Sequence, residues 1–227
     1  MKQPSIVLVH GFWGGAAHWA KVIVQLRKHG FEKIYAVENP LTSLADDAER
    51  TRKMVQSIDD DVVLVGHSYG GEVITEMGNL PNVKALVYIA AFAPDANESA
   101  GAISAANPPA AFSSIEPDAD GFLWINKAKY QESFCQDLDN DEAFVLAVTQ
   151  KPAKATTFGD TVTDPAWKYK PSFYQISTED RMISLVNQEM MSERLNARKI
   201  IRLDASHASL SSRAEEVANL IIEATKI

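Results

Sequence analysis

Apolar and polar positions along the chain follow two alternating rhythms. Short, nearly continuous Val/Ile/Leu runs fall at 5–11, 33–38, 61–66, 83–91, 172–178 and 198–203. Longer stretches with apolar residues at helical spacing follow most of them, at 16–30, 44–58, 69–80, 184–196 and 213–225. Runs of the first kind predict strands buried on both faces, and the second kind predicts amphipathic helices. Acids early and bases late in 44–58 suit the helix dipole, and Gly30 suits a helix end. Strand–helix repetition with buried strands predicts an α/β fold with a doubly wound, mainly parallel sheet of about six strands. Sites in such sheets lie beyond the carboxyl ends of the strands.

Residues 92–168 break the rhythm. Ala, Ser, Pro and Asp dominate 93–121, with Pro94, Pro108, Pro109 and Pro117, so that stretch reads as loop-prone. FLWINKAKY (122–130) suggests a short strand or hairpin arm, and DNDEAFVLAVTQ (139–150) a helix stopping before Pro152. The expected division is a core of 1–91 and 169–227, with 92–168 inserted as a cap over the active end, since long insertions are usually functional.

Composition narrows the classes. With 46% apolar and 23% charged residues the chain is able to bury a sizeable core. Lys+Arg number 22 against 30 Asp+Glu, a net charge of −8, which gives no reason to expect nucleic acid as a partner. Cys135, the single cysteine, excludes an intrachain disulfide, and its acidic setting disfavours a reactive thiolate. The run Ile6–Val9 is too short for a signal-peptide core, and no run approaches a membrane span, so a cytoplasmic protein without a membrane partner is expected.

Candidate chemistry begins with GHSYG at 66–70, which fits G-x-S-x-G between an expected strand and an expected helix. Glycine at 66 and 70 permits a sharp turn that lifts the Ser68 hydroxyl clear of the sheet, at the positive end of the helix. A serine nucleophile needs a base, and the base needs an orienting group. His207, in RLDASHASL after the last strand, suits the base. His67 lies inside the elbow, His10 ends the first strand, and His18 and His29 fall in a helix. Glu179 and Asp180 follow the preceding strand, and Asp180 is taken as the orienting acid, with Glu179 in reserve. VHGFWGG (9–15) closes the first strand, and the backbone N–H groups of Phe12 and Tyr69 suit an oxyanion hole.

The stretches HGFWGGAAHW, GHSYGG, PSFYQISTEDRMI and SHASL, together with their order, resemble the α/β-hydrolase superfamily. More narrowly, they are similar to the branch of small carboxylesterases, plant methylesterases and hydroxynitrile lyases. The resemblance covers about two thirds of the chain and implies Ser68, His207 and Asp180 as a triad, with Phe12 and Tyr69 as the hole. Gly11 and Arg181 stand where the hydroxynitrile lyases carry threonine and lysine, which argues against lyase chemistry. Ser184 replaces a common proline. A serine at the elbow, not an aspartate, argues against dehalogenase chemistry.

Other patterns carry less. DLDNDE (137–142) lacks the glycine and final glutamate of a calcium loop, and no metal or cofactor motif occurs, so neither is expected. Gly11, Trp13, His67 and Trp124 are the candidates for a substrate pocket, with Phe92, Phe112 and Phe122 as further aromatics. The expected activity is cofactor-free hydrolysis of a small carboxylic ester through an acyl-enzyme, with the ester as small-molecule partner and a homodimer possible. Other triad chemistry on the same fold (C–C or amide hydrolysis, perhydrolysis, or the disfavoured hydroxynitrile lyase reaction) and a non-catalytic small-ligand receptor are the alternatives.

Overall fold

The computed structural model describes residues 3–227. Nine strands occur among them: β1 (Ser5–Val9), β2 (Ile34–Val37), β3 (Val62–His67), β4 (Val83–Ile89), β5 (Ile115–Pro117), β6 (Phe122–Ile125), β7 (Ala153–Lys154), β8 (Ser172–Ser177) and β9 (Lys199–Leu203). Six form a parallel sheet in the order β2-β1-β3-β4-β8-β9. The expected strands and fold class are those observed.

Strand pleating explains why both faces must be apolar. Val62 and Leu64 of β3 pack into one core cluster with Val55, Val73 and Met77. Val63 and Val65, pointing the other way, pack with Trp19, Leu26 and Val217. The helices follow suit: α1 (Ala20–Lys28) covers the second face, while α2 (Leu44–Gln56) and α3 (Gly70–Met77) cover the first.

Between β4 and β8 the chain forms α4 (Ala100–Ala106), a three-stranded antiparallel sheet of β5, β6 and β7, α5 (Tyr130–Phe134) and α6 (Asn140–Thr149). Its Ile125, Tyr130, Phe134 and Ala153 share one hydrophobic cluster with Val9, Phe12 and Tyr69 at the carboxyl end of the main sheet. The loop-prone reading of 93–121 missed α4. Ser99 caps it, its Oγ accepting from the Ala102 N–H at 3.1 Å, and the alanines that follow are good helix formers. The acids at 139–142 likewise serve a helix: Asp139 Oδ1 accepts from the Glu142 N–H at the start of α6.

The chain closes with α7 (Leu185–Arg194), α8 (Ser209–Ser212) and α9 (Ala214–Ala224). Ser184, in the place of a common proline, caps α7 by accepting from the Asn187 N–H. No helix among the described residues is long and apolar enough to cross a membrane.

Candidate active site

Ser68 occupies the turn between β3 and α3 with φ of +55°, in the left-handed region that non-glycine residues rarely adopt. The surrounding backbone holds this conformation. Ser68 N–H donates to the Ile89 carbonyl at 3.2 Å, and the Ser68 carbonyl accepts from Gly71 and Phe92, both at 3.0 Å. Two glycines make the turn possible. A Cβ at Gly66 would lie 2.5 Å from the Gly70 carbonyl oxygen, and one at Gly70 would lie 2.3 Å from that of Val9.

The first-strand loop presses on the same turn. A Cβ at Gly11 would meet Ser68 Cβ at 2.5 Å, so only glycine lets the loop pass. Gly11 therefore spaces loop and elbow. His10 fixes the loop from behind. Its Nε2 accepts from the Asn39 N–H at 3.0 Å, which leaves Nδ1–H to donate to the Gly11 carbonyl at 2.8 Å. Burial holds the His10 imidazole below its usual range, in keeping with this neutral tautomer. Neither the Phe12 nor the Tyr69 N–H meets an acceptor among the described residues, so both remain free to donate. Their rings stack at 4.1 Å and 14°.

On the opposite side, β8 and β9 deliver Asp180 and His207. Asp180 Oδ1 accepts from the Met182 and Ile183 N–H groups at 2.7 and 2.9 Å. Its Oδ2 accepts from Gln188 Nε2 at 3.0 Å and from His207 Nδ1–H at 2.8 Å. With Nδ1 protonated, Nε2 carries the lone pair. That nitrogen is buried and has no hydrogen-bond partner among the described residues, Ser68 Oγ included. Glu179 is not at this position: it lies exposed, with its carbonyl accepting from Gln136 Nε2.

The pocket candidates divide. His67 is enclosed by the fold. It is 1% exposed, its Nε2–H donates to the His207 carbonyl at 2.8 Å, and the two rings lie 4.7 Å apart. Trp13, with φ of +58°, donates from Nε1 to the Leu123 carbonyl at 2.9 Å, tying the loop after β1 to β6. Trp124 Nε1–H donates to Asp118 Oδ2 within the hairpin. Its neighbour Leu123, on the other face of β6, lines an apolar cavity of about 470 Å³ with Ile115, Phe158 and α4. Phe112 is at this cavity too, whereas Phe92 is buried in the core and Phe122 lies under Lys154 Nζ. Phe158 connects the cavity to the loop after β1, its ring centroid 5.2 Å from that of Phe12.

Sequence reasoning missed Gln188, a second side-chain donor to the Asp180 carboxylate beside His207, and Phe158. A helical glutamine and a phenylalanine in a short 3-10 turn carry no local signal for either role. Among the described residues no cluster of His, Cys, Asp and Glu is arranged to hold a metal ion.

A serine on a strand–helix elbow, an Asp-bound imidazole, and free N–H groups at the carboxyl edge of a parallel sheet together define a class. The chain belongs to the alpha/beta hydrolase family, whose model matches residues 6–220. It is 25% identical to a probable hydrolase of Phoma sp., over 98% of each chain. It is 24% identical to Methylesterase 7 of Arabidopsis thaliana, over 97% of this chain and 96% of the relative. Its fold is that of a pyrethroid hydrolase from Sphingobium faniae, with a TM-score of 0.85 at 18% identity, covering 98% and 97% of the two chains.

Proposed function

We propose that this protein is a serine esterase that cleaves an apolar carboxylic ester through an acyl-enzyme. The observation that carries the reading is the buried, unpartnered His207 Nε2, oriented by Asp180 and held against the elbow that bears Ser68. A buried lone pair without a donor is costly unless it has work to do, and a substrate-aligned serine hydroxyl supplies the missing donor.

In the proposed reaction His207 Nε2 takes the Ser68 hydroxyl proton as Oγ bonds to the ester carbonyl carbon. The carbonyl oxygen becomes an oxyanion that accepts from the Phe12 and Tyr69 N–H groups. On collapse the carbon–alkoxy bond breaks, and His207 returns its proton to the departing alcohol. Water then repeats the sequence on the acyl-enzyme, releasing acid and restoring Ser68. Asp180 stays ionised throughout and stabilises the imidazolium. Residues 92–168 act as the cap, supplying Leu123, Ile115 and Phe158 around the apolar group of the substrate.

The esterase names of several relatives support the same chemistry, as does the family to which the chain belongs. Fluorophosphonate labelling tests it. One adduct on Ser68 with concurrent loss of p-nitrophenyl ester hydrolysis is expected. An unlabelled, inactive protein removes the proposal and favours a ligand receptor.

A further inference from the structure

We propose that Asp47 is a positioning residue for the oxyanion hole, fixing the Phe12 and Tyr69 N–H groups through the Tyr69 side chain. The proposal rests on the esterase reading above. Asp46 and Asp47 both lie in the first turn of α2, where acids are commonplace. Their surroundings differ sharply. Asp46 is exposed, whereas Asp47 is fully buried among apolar side chains. Both its oxygens are used: Oδ1 accepts from the Leu41 N–H at 2.8 Å, and Oδ2 from the Tyr69 hydroxyl at 2.8 Å. A buried carboxylate is expensive, and an apolar residue would fill the helix face at lower cost.

The Tyr69 hydroxyl leads straight to the reacting centre. Tyr69 is fully buried, follows Ser68 directly and supplies one proposed oxyanion donor. Its ring stacks flat on Phe12, the residue supplying the other donor. The ring is therefore clamped between Asp47 at its hydroxyl and Phe12 on its face. Phe12 belongs to a loop that touches the elbow only because Gly11 lacks a side chain, so a small rotation of the Tyr69 ring moves one donor relative to the other. Oxyanion stabilisation depends on donors already in place before charge develops.

The test uses Asp47→Ala, Asp47→Asn, Tyr69→Phe and the double variant Asp47→Ala/Tyr69→Phe. Turnover of p-nitrophenyl butyrate is normalised to sites titrated by a fluorophosphonate, so unfolded protein does not count. Asp47→Ala and Tyr69→Phe are expected to lose about tenfold or more in kcat per titrated site with KM within about twofold. The double variant is expected to be no worse than Asp47→Ala, because the only bond that Tyr69→Phe removes is already lost with Asp47. Asparagine accepts from Leu41 and donates to the Tyr69 oxygen, so Asp47→Asn is expected within about threefold of wild type.

The proposal is overturned if Tyr69→Phe keeps wild-type kcat per site, if the two losses multiply, or if asparagine does not rescue. Tyr69→Phe and Asp47→Asn decide the matter should the alanine variant not fold. A wild type that neither reacts nor hydrolyses esters removes the esterase reading and this inference with it. An active wild type with indifferent variants removes this inference alone.

Discussion

His67 Nε2–H donates to the backbone carbonyl of His207 at 2.8 Å, so the residue before Ser68, the proposed nucleophile, holds the main chain of the proposed base. Burial keeps the His67 imidazole well below its usual range and therefore neutral, which leaves one ring nitrogen as a fixed donor. His67→Ala is expected to lower kcat by about tenfold to a hundredfold, with KM little changed, because the base is displaced rather than removed. Steady-state kinetics on p-nitrophenyl esters check this, and unchanged kcat argues against a positioning role.

Asp180 is the orienting acid in the proposed mechanism, and its tautomer control is separable from its charge. Asp180→Asn puts a donor toward His207 Nδ1 and reverses the tautomer, moving the proton onto Nε2. A fall of about 10⁴ in kcat is expected, with little change in KM. Glu179→Gln, one residue away and exposed, is expected to stay near wild type. Comparable losses in both would point to a different acid.

Stability should respond to pH in two opposing ways. Burial pushes the Asp47 carboxyl up to about 6 and the Glu72 carboxyl well above the carboxylate range. The fold thus favours their protonated forms, a contribution complete below about pH 4 and, for Asp47, lost as pH rises through about 6. Lys151 opposes the Asp47 shift, as do the hydrogen bonds from Leu41 and Tyr69, while Asp46 adds to it. Asp47→Asn removes the titration, so wild type should lose about 2–3 kcal/mol relative to this variant between pH 4 and 7. His10, His18 and His67 act oppositely, since burial lowers each. Their contribution is complete above pH 6.5 and declines as pH falls. Urea unfolding from pH 4 to 8 reads both effects, and a constant gap between wild type and Asp47→Asn would contradict the first.

Substrate size should be set by the cavity beside Phe158. Ala105 lies exposed on α4 at its rim, where a larger side chain narrows the space without disturbing the core. Ala105→Trp is expected to cut kcat/KM for p-nitrophenyl octanoate about tenfold more than for the acetate. An equal effect on both esters would place the acyl group elsewhere.

Much of this was legible in the chain because buried parallel strands advertise themselves. VVLV at 62–65 must satisfy two apolar faces, and GHSYG must turn where it does because Gly66 and Gly70 touch backbone. FLWI at 122–125 is apolar throughout, so nothing local says that Leu123, not Trp124, turns toward the cavity. Asp47 reads as an ordinary first-turn acid until Tyr69, 22 positions away, is seen against it. The α4 helix hid among prolines because six of its seven residues are Ala, Gly or Ser and carry little periodicity.

The bond from the Trp13 indole to the Leu123 carbonyl has a practical consequence for anyone recombining such enzymes. A transplanted hairpin of different length or pitch would bring its own side chains and also withdraw an anchor from the strained residue beside Phe12. Selectivity and turnover would then shift together. Grafting that region from a homologue is best planned as an exchange of paired halves, with the 9–15 loop travelling alongside its hairpin.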